Sequence, residues 1–388
     1  FIRAGSSVLL GANGALVDAT GTTGMDDLLI DDDATKTVAD SILDVQGFDS
    51  NGFDNLTLGV VNNAGNPIGG MILNTGGSRT NLLSGSADYT LRHGTIAANL
   101  GGSSTLTKTT QGVITLSGNN SYAGTTTISG GVILDYTANA GAGEQRLSSS
   151  TLNLGGTTSR DENPLITMNG HATNDQTETV GDISARRGAA MIDLNSNGAA
   201  LNLTAGAISR VNGTLNLDLP ASGSVTTTTA DTAFLGAWAT VNRNQYAAIS
   251  GGEVMGVPTV SKEDVTTWRA GDDVINLSAF IGTITDCNTI NSLTFDAAAS
   301  STVQVSKSLE LNSCGIIVTS NVGANGSSIP GGTPLVPDSG GLVVHQHNAD
   351  ALGVLEISSR VMAAALSKSG NGELVLSGAG NVLGAVFV

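Results

Sequence analysis

The chain has 388 residues, of which 52 are glycine, 3% are aromatic and 40% are hydrophobic. Because aromatic rings are scarce, the apolar volume must come from Val, Leu, Ile and Ala, which predicts a thin core of stacked repeats rather than a broad globular core. The hydrophobic fraction excludes a disordered chain. The formal net charge of −17 excludes a nucleic-acid or anionic-lipid surface, because phosphates would be repelled.

Short segments of alternating apolar and polar residues, bounded by Gly, Asn, Asp or Ser, predict β-strands. In chain order they are 7–10, 56–61, 113–116, 125–128, 132–134, 151–154, 201–203, 214–217, 302–305 and 309–311. They are too short and too closely spaced for intervening helices, so parallel pairing has to come from coiling. Residues 230–246 and 350–366 have enough Ala and Leu for a short helix each, although loops or strands fit them equally. We therefore expect an all-β, parallel β-solenoid with one or two short helices or loops protruding.

One segment recurs without a gap at an offset of 260 residues (366 − 106), so that 106–124 matches 366–384. Besides one serine, the identical positions in the two copies are Leu106, Lys108, Gly112, Leu116, Gly118 and Gly124, and Leu366, Lys368, Gly372, Leu376, Gly378 and Gly384. We expect the leucines to point inward, the glycines to turn corners and the lysines to lie on an outward strand face.

The pattern Leu106-Thr-Lys, Gly112, Leu116-Ser-Gly-Asn-Asn-Ser-Tyr-Ala-Gly124 and Gly130-Gly-Val-Ile-Leu134 resembles the autotransporter-associated β-strand repeat of very large bacterial surface proteins. Segments 234–242, 290–295 and 309–317 resemble the giant members of the same family. The resemblance implies a right-handed parallel β-helix that is extracellular or on the cell surface of a Gram-negative-type bacterium, and it implies nothing about catalysis.

The expected organisation follows from the repeat and its surroundings. Residues 1–388 are predicted to form one continuous β-solenoid piece of a longer chain. One repeat copy occupies 106–134 and a truncated second copy occupies 366–388, with an irregular insertion or loop region at 230–280. The first hundred residues carry no specific motif and are included on their strand-and-turn pattern alone.

An acidic cluster is the best cation candidate, because Ca²⁺ requires several carboxylate oxygens at one point. Its members are Asp26, Asp27, Asp31, Asp32 and Asp33. The cluster lacks the spacing of a Ca²⁺-binding loop, so a solvated acidic loop is the alternative. No other cofactor is predicted.

Two further pairs are candidates for a bond or a site. Cys287 and Cys314 are 27 residues apart (314 − 287), close to one solenoid turn, so a disulfide and two free buried thiols are both open interpretations. His345 and His347 face one way on a strand, which fits either a shared metal ion or an ordinary outward face.

Enzymes that cleave polysaccharides also use β-helices, and they need clustered carboxylates, usually beside an Arg or Lys. Arg160, Asp161 and Glu162 form the compact mixed cluster in this sequence, but consecutive residues in a turn do not point together. Trp238 and Trp268 are expected to fill wider loops or irregular coils, or, where exposed, to stack on a sugar.

The sequence therefore predicts a non-catalytic structural or adhesive protein that forms a rod, fibre or surface layer. Expected partners are copies of itself in a filament or surface assembly, and a host surface or matrix glycan; nucleic acid is not expected. No apolar stretch approaches the roughly 20 residues of a membrane-spanning helix. The alternatives are a polysaccharide-active β-helix enzyme, a lyase or hydrolase, and a glycan-binding module.

Overall fold

The computed structural model describes residues 2, 7–9, 27–30, 41–46, 50–61, 67–75, 82–109, 112–138, 141, 143–156, 163–331, 334–337 and 341–387. The chain divides into two units. Unit 1 comprises Phe1–Asn212 and Leu219–Thr229, and unit 2 comprises Gly213–Asp218 and Ala230–Val388.

Unit 1 is built from short β-strands. They are β1 (Ser7–Leu9), β2 (Asp27–Ile30), β3 (Ile42–Asp44), β4 (Ser50–Leu58), β5 (Val60–Val61), β6 (Pro67–Ile68), β7 (Gly70–Leu73), β8 (Leu82–Leu91), β9 (Gly94–Ile96), β10 (Asn99–Gly102), β11 (Thr105–Lys108), β12 (Val113–Leu116), β13 (Thr126–Ile128), β14 (Gly131–Asp135), β15 (Leu152–Leu154), β16 (Leu165–Asn169), β17 (Gln176–Thr179), β18 (Ile183–Ala185), β19 (Ala189–Asn195), β20 (Leu201–Ala205), β21 (Ile208–Arg210) and, after the first strand of unit 2, β23 (Val225–Thr227).

The strands of unit 1 form three long stacks. Their orders are β1-β3-β7-β9-β12-β14-β16-β19, then β2-β4-β8-β11-β13-β15-β18-β21 with β10 beside β8, and β17-β20-β23. Successive strands from β11 to β14 alternate between the first two stacks, and each pairs in parallel with a strand of the neighbouring coil, meaning one turn of the chain. The described pairings within unit 1 are parallel except for the small β5–β6 ladder. This is the parallel β-helix that the sequence predicts.

Aligned aliphatic side chains fill the interior of unit 1. In β12 and β14 the burial alternates along the strand, so every second side chain points inward. Ile114 lies opposite Val132 and Leu116 lies opposite Leu134, and all four are buried. Burying one such side chain contributes about 1.5–3 kcal/mol. Aliphatic side chains are enough to fill this thin interior, which accounts for the scarcity of aromatic rings.

The lysine of the first repeat copy does not lie where the sequence suggested. Lys108 is 0% exposed and lies two residues after the buried Leu106, so it points inward rather than onto an outward face. Burial lowers the pKa of its amine to about 8. In the second copy Lys368 is partly exposed, and its ammonium donates to the carbonyl of Gly370 at 2.7 Å. The outward-face prediction is therefore wrong for Lys108.

The glycines of the repeat are required by close stacking of coils. A Cβ atom on Gly118 would lie 2.1 Å from the carbonyl oxygen of Ala98, and one on Gly124 would lie 2.4 Å from that of Ser104. In the second copy, a Cβ atom on Gly384 would lie 2.2 Å from the carbonyl oxygen of Ala364. None of these three glycines has a positive φ. A neighbouring backbone, and not a left-handed turn, excludes a side chain here.

A buried polar network closes one corner of unit 1. Glu178 accepts hydrogen bonds from the backbone N–H groups of Arg146 (2.8 Å) and Leu147 (3.0 Å) and from the hydroxyl of Tyr136. The guanidinium of Arg146 lies 4.3 Å from the centre of the Tyr136 ring. Burial raises the pKa of Glu178 to about 7, and the hydrogen bonds oppose that rise. The network satisfies polar groups that the corner would otherwise leave buried without partners.

Unit 2 contains a second set of strands and two short 3₁₀ turns, at Val265–Thr267 and Ser320–Val322. The strands are β22 (Thr214–Asp218), β24 (Ala239–Val241), β25 (Gln245–Ser250), β26 (Glu253–Gly256), β27 (Val260–Ser261), β28 (Asp273–Asn276), β29 (Thr283–Ile284), β30 (Asn288–Phe295), β31 (Ser301–Thr302), β32 (Gln304–Val305), β33 (Leu309–Val318), β34 (Ser327–Ile329), β35 (Leu335–Pro337), β36 (Gly341–Gln346), β37 (Leu355–Ile357), β38 (Met362–Ser369), β39 (Leu374–Leu376) and β40 (Val382–Phe387). The two segments with helical composition, 230–246 and 350–366, form strands and turns instead.

Unit 2 has parallel stacks of its own. Their orders are β27-β28-β30-β33-β36-β38-β40 with β35 beside β33, then β31-β34-β37-β39, and β29-β32. Their inward side chains form one aliphatic core, to which Trp268, Phe280 and Phe295 contribute the rings. Leu366 of the second repeat copy is buried in this core, and Leu376 packs against it.

An antiparallel hairpin interrupts the parallel pattern in unit 2. Strand β24 pairs in parallel with β22 and antiparallel with β25, which in turn pairs antiparallel with β26. The hairpin packs on the outer face of the β33–β36 sheet, where Tyr246 contacts Ile317 and Val343 in a second cluster. Both faces of β33 and β36 are therefore buried near this cluster, which explains their continuous apolar runs.

Candidate binding site

The predicted calcium cluster lies almost wholly outside the described residues. Asp26, Asp31, Asp32 and Asp33 fall outside them, and of Asp27 only the backbone, in β2, is described. Among the residues that the structure does describe, no group of three or more His, Cys, Asp or Glu side chains is arranged to hold a metal ion. Calcium binding by the acidic cluster stays a prediction.

No disulfide joins the two cysteines in the structure, and they differ in environment. Cys287 is exposed, whereas Cys314 is buried in β33 with a positive φ of 67°. Here the register between β30 and β33 shifts, so that Ile290 lies opposite Leu311 but Ser292 lies opposite Gly315. Between these pairs β33 has three residues, Asn312, Ser313 and Cys314, where β30 has one, so Cys314 lies in a bulge of two extra residues.

The histidine pair lies on one face of the sheet, as its spacing indicates. The rings of His345 and His347 are stacked with centres 5.8 Å apart. Both nitrogens of His345 already have partners, because Nε2 lies 2.6 Å from the carbonyl of Ala237 and Nδ1 lies 2.6 Å from the hydroxyl of Ser369. The hairpin covers His345, so this part of the outward face is not solvent-exposed.

The remaining sequence candidates contribute no site. Arg160, Asp161 and Glu162 lie outside the described residues. Trp268 is 2% exposed, and its indole N–H donates to the carbonyl of Lys262 at 3.0 Å, so it is a core residue. Trp238 is half-buried in the segment that leads into β24.

A polar pocket of about 310 Å³ lies in unit 2 where the hairpin turn meets the sheet. Its lining is Asp218, Asn242, Arg243, Asn244, Thr319, Ser320, Asn321 and His347, and we call it the unit 2 pocket. Sequence reasoning missed it because its lining comes from segments up to 129 residues apart (347 − 218). The signal that was available is the Asn-Arg-Asn run between two short β-prone segments.

The hairpin turn forms the first wall of the unit 2 pocket. Asn242 and Arg243 both adopt positive φ angles, of 51° and 58°, which turn the chain sharply between β24 and β25. The backbone N–H of Arg243 donates to the side chain of Asn216 at 2.9 Å. The Arg243 guanidinium donates through Nε to Asp218 at 2.9 Å, and its Nη2 also bonds this carboxylate. The turn is thus held on β22 from both its backbone and its side chain.

The 3₁₀ turn after β33 forms the second wall. Thr319 caps this turn by accepting from the backbone N–H of Asn321, and both side chains donate to the Asp296 carboxylate, at 2.5 and 3.1 Å. Asp296 is itself placed by a 2.8 Å bond from its backbone N–H to the side chain of Asn276. These bonds fix the wall before any ligand arrives.

His347 completes the lining and carries no charge at physiological pH. Burial lowers its pKa to about 3, and the nearby charges of His345, Arg243 and Lys368 act in the same direction. Its Nε2 atom is buried and has no hydrogen-bond partner among the residues that the structure describes. The pocket therefore presents a neutral imidazole beside an ion pair.

Comparison with known proteins gives one informative match. The chain is 31% identical over 272 residues to the adhesin BmaC autotransporter of Brucella suis biovar 1 (strain 1330). The match covers 66% of this chain but only 8% of the relative, so the chain corresponds to a small part of that protein. No family model matches the chain, and no solved structure matches it significantly.

The similarity to an autotransporter, together with the parallel β-helix, confirms the expected resemblance to autotransporter passengers. It also confirms the cell-surface location that the resemblance implies for a Gram-negative-type bacterium. Among the described residues, no helix has the length and apolar character needed to cross a membrane.

Proposed function

We propose that this chain is a non-catalytic, adhesive segment of a bacterial surface protein of the autotransporter type. The observation that carries the proposal is the 31% identity over 272 residues to a protein named an adhesin. The stacked parallel strands of this chain agree with it. Because the chain spans 8% of that relative, adhesion by this particular segment is the proposal and not a finding.

The chemistry of the unit 2 pocket supports a binding role over a catalytic one. Glycoside hydrolysis commonly requires two carboxylates placed on either side of the scissile bond. Asp218 is the one carboxylate in the lining, and it is already paired with Arg243. The lining therefore lacks the second carboxylate that this reaction needs, which supports binding over catalysis.

We further propose that the segment belongs to a rod, fibre or surface layer, with copies of the protein as additional partners. Parallel coils leave backbone donors and acceptors unpaired along the terminal strands of each stack, and such edges invite further strand pairing. Negative-stain electron microscopy of the purified surface material tests this, since a filament or layer is distinguished at once from separate particles.

Adhesion is tested by displaying the 388-residue chain on a non-adherent bacterium and counting bacteria that remain on cultured host cells after washing. The matched control displays an unrelated β-helix of similar length at equal surface density. We expect at least a several-fold gain over the control. Equal retention of both strains, or release of sugar fragments from polysaccharides incubated with the purified chain, would contradict the proposal.

A further inference from the structure

The unit 2 pocket is lined entirely by groups that form hydrogen bonds. Three of its side chains are asparagine amides, two are hydroxyls, one is an imidazole and two form an ion pair. Amides and hydroxyls each offer a donor and an acceptor, and so does the hydroxyl group of a ligand. At about 310 Å³ the pocket is at the lower end of the range for small-molecule sites, which suits one small polar unit rather than an extended ligand.

The walls of the unit 2 pocket are fixed by bonds to residues behind them. Asp296 holds Thr319 and Asn321, and Asn216 holds the backbone of Arg243. A wall that is already ordered loses little conformational entropy when a ligand binds, and this lowers the cost of binding. The exposed Ser320 and Asn244 are in positions from which they can contact a ligand that enters from solvent.

The charges in the pocket disfavour an ionic ligand. Asp218 and Arg243 cancel one another, and His347 is neutral because its pKa lies near 3. An anionic ligand would have to compete with Asp218 for the guanidinium, in a chain whose formal net charge is −17. A neutral ligand faces neither cost, and its hydroxyls can exchange hydrogen bonds with the exposed Ser320 and Asn244.

We propose that the unit 2 pocket binds one neutral, hydroxyl-rich sugar residue of a host-surface or matrix glycan. The inference rests on the proposed adhesive function and specifies the class of partner. Ser320 and Asn244 contact the sugar hydroxyls at the mouth of the pocket, beside the Arg243–Asp218 ion pair. Because the lining has no Trp, Tyr or Phe ring for stacking, a single site binds weakly, with a Kd on the order of millimolar, and many copies on one cell raise the avidity.

The test is saturation-transfer NMR on the 388-residue chain with individual sugars at millimolar concentration. The neutral probes are glucose, galactose, mannose and N-acetylglucosamine, and the acidic probes are glucuronate and N-acetylneuraminate. We expect transfer to at least one neutral sugar and at least fivefold less transfer to the acidic sugars. Transfer confined to the acidic sugars, or to none of the six, overturns the proposal.

Two variants locate the binding. Asn244→Leu removes the amide and places a branched apolar side chain in the mouth of the pocket at an exposed turn position, and it should abolish the transfer. Asn197→Ala changes an exposed asparagine of unit 1 and should leave the transfer unchanged. Circular dichroism checks that both variants keep the β-structure. Equal transfer from Asn244→Leu and from the unaltered chain to the sugar would place the sugar elsewhere and overturn the proposal.

Display of Asn244→Leu on the non-adherent bacterium separates this inference from the proposed function. If the unaltered chain adheres and the variant adheres equally well, the pocket does not provide the adhesion and only the inference fails. If the unaltered chain itself does not adhere, the proposed function fails whatever the sugar measurements give.

Discussion

At the scale of single residues, the repeat glycines make a sharp prediction. Gly118→Ala would place a methyl group 2.1 Å from the carbonyl oxygen of Ala98, so one of two stacked backbones has to move. We expect the free energy of unfolding to fall by about 1–3 kcal/mol, which is the usual cost of overpacking. Urea unfolding followed by circular dichroism measures it as a lower midpoint.

Gly326→Ala is the matched control for this change. The nearest atom to a Cβ at this position is the carbonyl oxygen of Val354, 4.0 Å away, so the methyl group makes ordinary contact. The control should unfold within about 0.5 kcal/mol of the unaltered chain. If the two alanine variants were equally stable, coil stacking would not be the reason for glycine at position 118.

The buried amine of Lys108 makes stability depend on pH. Its folded-state pKa of about 8 lies below the ordinary value of 10.5, so between these values the unfolded chain binds more protons than the folded one. The contribution of this lysine to stability therefore rises as the pH increases from about 8 to 10.5. Allowing for water that reaches the side chain, we expect a rise on the order of 1–2 kcal/mol.

Lys108→Met isolates the effect of Lys108 from those of other titrating groups. Stability is measured by urea unfolding of both proteins at pH 7.5 and pH 10.5. At pH 7.5 the variant should be more stable than the unaltered chain, and most of this difference in stability should vanish at pH 10.5. A stability difference that stays constant across this range would mean that Lys108 does not titrate as described.

At the scale of elements, the antiparallel hairpin of unit 2 and the corner of unit 1 each bury a tyrosine. Removing the hydroxyl group should affect stability differently in the two places. The hydroxyl of Tyr246 is buried without a hydrogen-bond partner among the described residues, whereas that of Tyr136 donates to Glu178. Tyr246→Phe should therefore be neutral or stabilise by up to about 1 kcal/mol, and Tyr136→Phe should cost about 1–3 kcal/mol. The unfolding midpoints of the two variants in urea measure the difference. Equal losses in both would contradict the assigned environments.

At the scale of the whole molecule, net charge determines which competitors can block adhesion. With −17 formal charges, the chain should not bind heparin or duplex DNA at physiological salt, because both are polyanions. We expect excess heparin to leave adhesion of the display strain unchanged, within the scatter of repeat counts. Loss of adhesion in heparin would point to a local basic surface that the composition does not indicate.

The sequence was sufficient for the fold and insufficient for the pocket. Alternation along 113–116 and 132–134 predicted strands that the structure has at Val113–Leu116 and Gly131–Asp135, because a period of two depends only on local neighbours. The burial of Lys108 was not predictable, since a long side chain on an apolar face is usually solvated. The unit 2 pocket was missed because Asn244 and His347 meet only through tertiary packing.

The register between stacked coils limits the ways in which such a chain can change its length. Leu106 lies opposite Thr126, and Gly124 passes close to Ser104, so one complete coil here corresponds to 20 residues. Loss or duplication of a whole coil would leave inward and outward positions in phase, whereas an insertion of one residue within a strand would exchange them. Variation in steps of entire coils is therefore the route by which related proteins can lengthen or shorten without refolding their interior.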